Sequence, residues 1–275
     1  MAKTQAQRIG LLVGPVAAVA LLAIPAPDGL SPAGWRTAAL MALMATWWAT
    51  EAIPIPATSL LPLALLPLLG AGTPREVGAG YASPIVLLLL GGFIVALAIE
   101  RWNLHKRIAL NVVASVGSGP RGLIFGFMAA TALLSMWISN TATTLMMAPI
   151  ALSAAAALRD GGDRMAPALL LGICYAASIG GVATPIGTPT NLIAIDWLER
   201  NADATIGFPQ WMAFGIPAVL LLVPAAWWRV CRGIPGMDGS AEARAAVKRE
   251  RDALGSITGP EARAAIVFAC VALLW

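Results

Sequence analysis

The chain has 275 residues, of which 59% are hydrophobic and only 12% are charged, and its mean hydropathy is +0.78. A soluble domain carries roughly 25% charged residues, so this composition excludes an ordinary soluble protein and indicates a polytopic membrane protein. The net charge of +4 comes from basic residues spread along the chain, which argues against a nucleic-acid partner. The three cysteines lack paired spacing and there is a single histidine, so the sequence predicts neither a disulfide framework nor a metal centre built on these residues.

Eight apolar runs follow one another along the chain and define the predicted membrane segments. Most have the roughly 17–25 residues that a spanning helix needs. They lie at about 9–26, 35–52, 54–71, 84–100, 121–158, 165–198, 211–230 and from 262 to the end. We expect the first to be an uncleaved helix, because Pro27 follows it and a second apolar run is close. Four prolines in the third run predict a kinked helix.

Two segments between these runs are more polar. Residues 101–118 begin charged and turn apolar, which is typical of a helix lying on the membrane surface, and this places His105 at the cytoplasmic surface. Residues 240–254 carry charges of both signs and predict a solvated helix that joins two halves of a protein. Glu51 is expected at the end of its helix in a structural role.

The basic residues predict an orientation. With the N-terminus inside, 15 of the 18 Lys and Arg residues lie on the cytoplasmic side, as the positive-inside rule requires. The count holds only if the run at 121–158 enters and leaves on the same side, since Arg121 precedes it and Arg159 and Arg164 follow it. We therefore predict a re-entrant helical hairpin over 120–158. Its tip holds three consecutive polar residues, Ser139, Asn140 and Thr141.

The polar residues of this tip are unusual in so apolar a chain. An unpaired polar group in hydrocarbon costs several kcal/mol, so we expect them to contact one another, a water-filled cavity or a solute. Oxygens of Ser135, Ser139 and Asn140 suit a hard ion such as Na⁺. Donors on Asn140 and Thr141, with the N-terminus of the following helix, suit a carboxylate or a sulfate.

A second polar interruption lies inside the run at 165–198. Its glycines and prolines make a continuous helix unfavourable, so we predict a helix that unwinds near the middle of the membrane and restarts at about Asn191. Freed carbonyls of such a break can coordinate a cation, and the N-terminus of the restarting helix attracts an anion. Taken singly, either interruption could instead pack small polar residues between helices. The predicted loop of the broken helix contains Thr184, Thr188, Pro189, Thr190 and Asn191.

Three elements together resemble the divalent-anion/sodium symporter family, which carries dicarboxylates, citrate or sulfate. They are Trp48-Ala-Thr-Glu-Ala-Ile-Pro-Ile-Pro56 with the downstream Leu61-Pro62, then Ser139-Asn140-Thr141, then Gly187-Thr-Pro-Thr-Asn191. Ser-Asn-Thr alone is a weak signal, but the three in this order are specific, and the similarity spans nearly the whole chain. Thr190 stands where many relatives carry a second proline, which we expect to be tolerated.

The resemblance implies roles for the polar residues. Ser135, Ser139, Asn140 and the backbone near Gly187 would form a first sodium site. Asn140 and Thr141, with Ser139 beside them, would bind a substrate carboxylate. Na⁺ would be the coupling ion, with no other cofactor.

The resemblance also implies an architecture: an all-α polytopic membrane protein that is one inverted-repeat half of an elevator-type transporter, working as a homodimer among membrane lipids. Residues 1–118 would be scaffold helices and an interfacial helix, and 119–230 half of the transport domain, ending with a helix at 211–230. Residues 231–261 would be a cytoplasmic linker, and 262–275 the start of a truncated helix of a second repeat. Since the family has two Ser-Asn-Thr hairpins and this chain has one, we expect it to be the N-terminal half of a longer carrier.

The function expected of the full-length parent is Na⁺-coupled symport of divalent anions, C4-dicarboxylates first, in the bacterial cytoplasmic (inner) membrane with the N-terminus inside. Alternatives are a Na⁺-independent dicarboxylate exchanger and a related arsenite or Na⁺/H⁺ carrier, although the latter would place an acid at the midplane. An intramembrane enzyme with Ser139 as nucleophile lacks a nearby base in the sequence.

Overall fold

The computed structural model describes residues 3–116, 119–157, 162–202, 205–234 and 240–275, and every regular element in these ranges is an α-helix. Within them, three helical stretches are long and apolar enough to cross a membrane: Gln5–Ala23, Pro74–Arg101, which a short interruption at residues 82–83 divides into two helices, and Phe208–Val230. The prediction of an all-helical membrane protein is confirmed at this level. Arg159, the predicted boundaries at 118 and 158, and residues 235–239 of the predicted linker lie outside the described residues.

The chain forms two compact units, the first ending at Val86 and the second beginning at Leu87. In the first unit α1 (Gln5–Ala23) and α2 (Pro32–Thr50) pack together, and the indole nitrogen of Trp47 donates to the carbonyl of Gly10 at 3.0 Å. The proline-rich third run is divided at Leu60 into two short helices, so the expected distortion is present. The helices of this unit are α1 (Gln5–Ala23), α2 (Pro32–Thr50), α3 (Ile55–Ser59), α4 (Leu61–Leu68) and α5 (Pro74–Tyr81).

Glu51 ends α2 in the left-handed conformation, with φ of 48°. Its side chain is exposed. This position agrees with the expectation that Glu51 lies at the end of its helix, where a left-handed residue commonly terminates the hydrogen-bond ladder.

The second unit is built around one long helix, α10 (Gly162–Gly180). This helix packs against α8 (Pro120–Ser135), α9 (Asn140–Ala156) and α12 (Phe208–Val230). Its core is apolar and includes Phe127, Met128, Leu169 and Ile173, each at most 1% exposed. The helices are α6 (Pro84–Arg101), α7 (Leu104–Ser115), α8 (Pro120–Ser135), α9 (Asn140–Ala156), α10 (Gly162–Gly180), α11 (Pro189–Ala202), α12 (Phe208–Val230), α13 (Ser240–Asp252) and α14 (Gly259–Leu274).

The charged segment at 240–254 forms the predicted helix, α13 (Ser240–Asp252), and Lys248, Arg249 and Asp252 are exposed, but one face of this helix is not solvated. It packs against α7 and α9, burying Ala246 and Val247. The Nζ of Lys106 on α7 lies 3.1 Å from a carboxylate oxygen of Glu250. A short apolar stripe among many charges is enough to hold this helix against the bundle, because the charged side chains remain free to reach water.

A second ion pair ties α7 to the first turn of α14, and hydrogen bonds tie it to the loop before that helix. The guanidinium of Arg107 binds the carboxylate of Glu261, and it also donates to the carbonyls of Gly255 at 2.9 Å and Leu254 at 3.3 Å. Hydrogen bonds from Arg107 hold the pKa of Glu261 below its usual value, although burial acts in the opposite direction. The predicted interfacial helix is therefore clamped to the start of the last helix.

Candidate functional site

The polar tip lies in a turn between two helices that both pack on α10. Helix α8 ends at Ser135, and α9 begins at Asn140 after the turn Met136–Ser139. Ser139 is the N-cap of α9, and its hydroxyl accepts from the backbone N–H of Ala142 at 3.2 Å. This cap explains why the second helix begins where it does. The re-entrant placement of the two helices in a membrane stays a prediction.

The interruption of the next helix is also present. Helix α10 ends at Gly180 and α11 begins at Pro189. The new helix thus starts two residues earlier than expected from the sequence, because proline is favoured at the first position of a helix, where its missing N–H is not needed. We call residues 181–188 the break.

The hydroxyl of Ser135 lies beside the contact between the tip and the break, between Asn140 and the last turn of α10. It is completely buried. Its oxygen is 2.7 Å from Oδ1 of Asn140 and 2.7 Å from the carbonyl oxygen of Ala177, near the end of α10. One hydroxyl carries one proton, so it cannot donate fully to both acceptors. We call these three oxygens the oxygen cluster. The carbonyl of Ala177 also accepts from the backbone N–H of Gly181 at 3.0 Å, so the hydroxyl of Ser135 is not its only donor.

Thr184 connects the break to the tip by a second route. Its hydroxyl donates to the carbonyl of Met136 in the tip turn and accepts from the N–H of Gly187 at 3.1 Å. Because Thr184 is completely buried, both bonds are shielded from solvent. Thr184 therefore joins the break to the tip turn, while Ser135 joins the end of α8 to α10.

Glycine allows the two elements to approach closely. A methyl group added to Gly181 would lie 2.5 Å from Oδ1 of Asn140, and one added to Gly187 would lie 2.5 Å from the carbonyl oxygen of Gly181. A side chain at Gly180 would overlap the backbone of Ala132 on α8. A side chain at Gly181 would push the tip away from the break, and one at Gly180 would push α8 away from α10.

Three carbonyls of the break accept hydrogen bonds from side chains of this chain. Nδ2 of Asn191 donates to the carbonyls of Gly181 and Thr184, at 2.7 Å each, and the indole of Trp211 on α12 donates to Val182 at 2.9 Å. The sequence suggested that freed carbonyls would be open to a cation. Three of them already have donors, because a buried carbonyl without a partner is costly.

The predicted site residues fall into two groups. Ser135, Asn140 and Gly187 lie at or next to the contact between tip and break, together with Gly181 and Ala177, which the sequence did not single out. The other group is open to the surroundings: Ser139, Thr141, Pro189 and Thr190 are exposed, and Thr188 is half-buried. The sequence signal that could have indicated Gly181 is the doublet Gly180-Gly181 within a polar interruption, because adjacent glycines often mark a place where another part of the chain approaches closely.

A polar cavity of about 260 Å³ lies beside the tip. It is lined by Glu100, Asn103 and His105 and by Thr143, one helical turn after Asn140. Thr143 is 2% exposed, and its hydroxyl has no partner in the described residues. His105 is half-buried with Nδ1 3.1 Å from the carbonyl of Ile99, so its predicted surface position was only partly right.

Comparisons with known proteins bear on these residues. The family described as "Citrate transporter" matches residues 45–275. The sodium-dependent dicarboxylate transporter SdcS of Staphylococcus saprophyticus is 38% identical over 286 residues, covering 98% of this chain and 54% of that protein. SdcS of Staphylococcus aureus strain USA300 is 37% identical with the same coverage. The chain spans about half the length of these curated relatives.

These matches confirm the resemblance to sodium-coupled carriers of divalent anions. The matched family and both relatives are described as transporters, and the apolar helices agree with an integral membrane protein. The family match covers both the tip and the break. This chain belongs to the citrate transporter family.

Proposed function

We propose that the full-length protein containing this chain is a secondary active transporter that couples Na⁺ to the symport of divalent anions, C4-dicarboxylates first. The observation that carries the proposal is the buried hydroxyl of Ser135, held 2.7 Å from each of two acceptor oxygens beside the contact between tip and break. The names of the relatives support the same ion and substrate class.

Sodium would bind at the oxygen cluster. Oxygen ligands from side chains and backbone suit a hard, small cation, and unwound helices supply such ligands in membrane carriers. Ser135, Asn140 and the backbone near Gly187 are the proposed ligands, with Ser139 at the edge of the site. The convergence of three oxygens, each within 2.7 Å of the Ser135 hydroxyl or part of it, supports this assignment, because a hard cation prefers several oxygen ligands.

The substrate would bind on the exposed side of the same tip. Ser139, Asn140 and Thr141 lie at the N-terminus of α9, where backbone N–H groups of the first turn point away from the helix. A carboxylate placed there gains from these donors and from the helix dipole. Asn140 would then contact both ion and substrate, which gives a direct physical route for coupling them.

The tip and the break would move together. Hydrogen bonds from Ser135 to α10 and from Thr184 to the tip turn support one body that contains residues 119–230. We propose that this body moves as an elevator against a scaffold that includes residues 1–118, in a homodimer. The site of action would be the bacterial inner membrane, with the N-terminus inside.

The test is uptake of radiolabelled succinate by vesicles containing the full-length protein, with an inward Na⁺ gradient. Asn140→Ala should abolish Na⁺-driven uptake, because it removes a ligand from both proposed sites. Asn201→Ala is the matched control, since Asn201 is exposed on α11 and bonds only to the carbonyl of Trp197 among the described residues. Unchanged uptake by Asn140→Ala would refute the site.

Coupling is tested separately from substrate class. Replacing the Na⁺ gradient with K⁺ should stop net uptake in the wild type. Equal exchange of internal for external succinate without Na⁺ would instead identify a dicarboxylate exchanger. Uptake that ignores Na⁺ but depends steeply on pH would favour a proton-coupled carrier.

A further inference from the structure

A second site is indicated by a cavity whose mouth lies at the N-terminal end of α10, the end opposite the break. The cavity has a volume of about 620 Å³. It lies between α10, which contributes Arg164, Leu171 and Tyr175, and the C-terminal end of α12 with the turn after it, which contribute Arg229 and Arg232. None of these residues takes part in the contact between tip and break.

The mouth of this cavity is strongly basic. Arg164, Arg229 and Arg232 all line it, and within the described part of the chain none of them forms an ion pair with a carboxylate. The guanidinium of Arg232 stacks on the indole of Trp228, with Cζ 3.8 Å from the ring centroid. This cation–π contact holds the arginine side chain in place without neutralising it. Three positive charges are thus gathered around one opening.

The wall behind the arginines is apolar. Pro167, Ala168 and Leu171 line it, and Leu171 and Tyr175 are both 53% exposed. Because an α-helix rises about 1.5 Å per residue, the wall from Arg164 to Tyr175 extends about 16 Å away from the basic mouth. A free small anion would use the mouth and leave this wall uncovered. A molecule with an anionic head and a hydrocarbon tail would use both.

The height of the mouth in the membrane fits such a molecule. Helix α12 is one of the candidate spans, and the arginines lie at its C-terminal end, at Arg229, and just beyond it. The end of a span reaches the level of the lipid headgroups. Basic pockets between membrane helices at this level bind anionic headgroups, and arginine pairs with phosphate through two parallel hydrogen bonds.

We propose that this cavity is a binding site for one anionic glycerophospholipid. Its phosphate would bind Arg164, Arg229 and Arg232, and one acyl chain would lie along Leu171 and Tyr175. The inference rests on the membrane assignment alone, and it stands whether or not the transport proposal is right.

The experiment uses the full-length protein in a neutral detergent. Native mass spectrometry and thermal unfolding are followed while phosphatidylglycerol, phosphatidylcholine with the same acyl chains, or inorganic phosphate is added. The wild type should retain phosphatidylglycerol and unfold several degrees higher with it, whereas phosphatidylcholine should have much less effect. Equal effects of the two lipids would overturn the proposal, and full stabilisation by inorganic phosphate would show a free-anion site instead.

Variants locate the effect. Arg229→Gln with Arg232→Gln should weaken retention of phosphatidylglycerol at least about tenfold, since two charge-assisted contacts are lost. Arg200→Gln, an exposed arginine on α11 that pairs with Asp196, is the matched control and should bind as the wild type does. Arg164→Gln serves where the double variant fails to fold, because its side chain is exposed and its loss should also weaken retention. If the double variant and Arg164→Gln both retained phosphatidylglycerol as the wild type does, the site would be refuted.

Discussion

Polar residues at the tip and in the break occupy opposite environments. At the tip, Ser139 and Thr141 are exposed and Asn140 is half-buried. In the break, Thr184 is completely buried, and Asn191, in the first turn of α11 just after it, is 5% exposed. The tip leaves its polar groups open to a solute, whereas the break uses its polar groups to satisfy its own backbone. Changes at the tip should therefore alter transport, and changes in the break should alter stability as well.

Gly181→Ala should have the largest effect, because it separates the two regions. The new methyl group would lie 2.5 Å from Oδ1 of Asn140, so either the tip or the break must move. Such overpacking costs about 1–3 kcal/mol, and uptake should fall by up to about 100-fold. Gly91→Ala on α6 is the matched control, since no atom lies within 4 Å of its added methyl. Normal uptake by Gly181→Ala would show that the contact is not required.

Asn191→Ala should lower stability more than any single change at the tip. It removes the donor that binds the carbonyls of Gly181 and Thr184, which leaves the buried carbonyl of Gly181 without a partner among the described residues, whereas that of Thr184 keeps the N–H of Gly187. Unsatisfied buried acceptors cost about 1–3 kcal/mol, so the melting temperature of the full-length protein should fall by several degrees. The same measurement on Asn201→Ala should show almost no change. If Asn191→Ala melted at the same temperature as the wild type, the polar groups around the break would not be needed for stability, and the contrast with the tip would fail.

Ser135→Ala should act mainly on sodium. The hydroxyl contributes one oxygen to the proposed ion site, while its removal leaves Asn140 in place. Loss of one such contact corresponds to about 1.4 kcal/mol, or about a tenfold higher Na⁺ concentration for half-maximal uptake. Ser178→Ala, an exposed serine on α10, is the control. A rise in the KM for succinate with unchanged Na⁺ dependence would assign Ser135 to the substrate instead.

Thr190→Pro should have the smallest effect. Thr190 is exposed and follows Pro189 in the first turn of α11, where a missing N–H breaks no helical hydrogen bond. Uptake and melting temperature should both stay close to the wild type, with uptake changed less than about twofold. A large loss would mean that the Thr190 hydroxyl binds a solute, and that the break is more open than its buried residues indicate.

The sequence was sufficient to predict the interruptions but not their partners. Glycine and proline disfavour a helix whatever surrounds them, so the break before Pro189 could be expected from local chemistry. That Asn191 and Trp211 fill the carbonyls of the break depends on how α11 and α12 fold back, which no local pattern records. The same holds for α13, whose charges suggested solvent although Ala246 and Val247 are buried against its neighbours.

The oxygen cluster shows the same limit. Ser135 and Asn140 are five residues apart, and their contact across the turn could be anticipated as soon as a helix end was placed between them. The carbonyl of Ala177 comes from a different helix and is 42 residues away in sequence. Every residue has a backbone carbonyl, so the sequence does not indicate which carbonyl will reach a site. The backbone ligands of a site therefore become known only with the fold.

The central claim is that Na⁺ binds at the oxygen cluster, and the most direct test is Na⁺-dependent thermal stabilisation of the purified full-length protein without substrate. Na⁺ in place of K⁺ should raise the melting temperature of the wild type and of Asn201→Ala. It should raise that of Asn140→Ala much less, although all three should unfold at similar temperatures in K⁺. Equal stabilisation by Na⁺ in Asn140→Ala and the wild type would contradict the account, because the ion would then bind elsewhere.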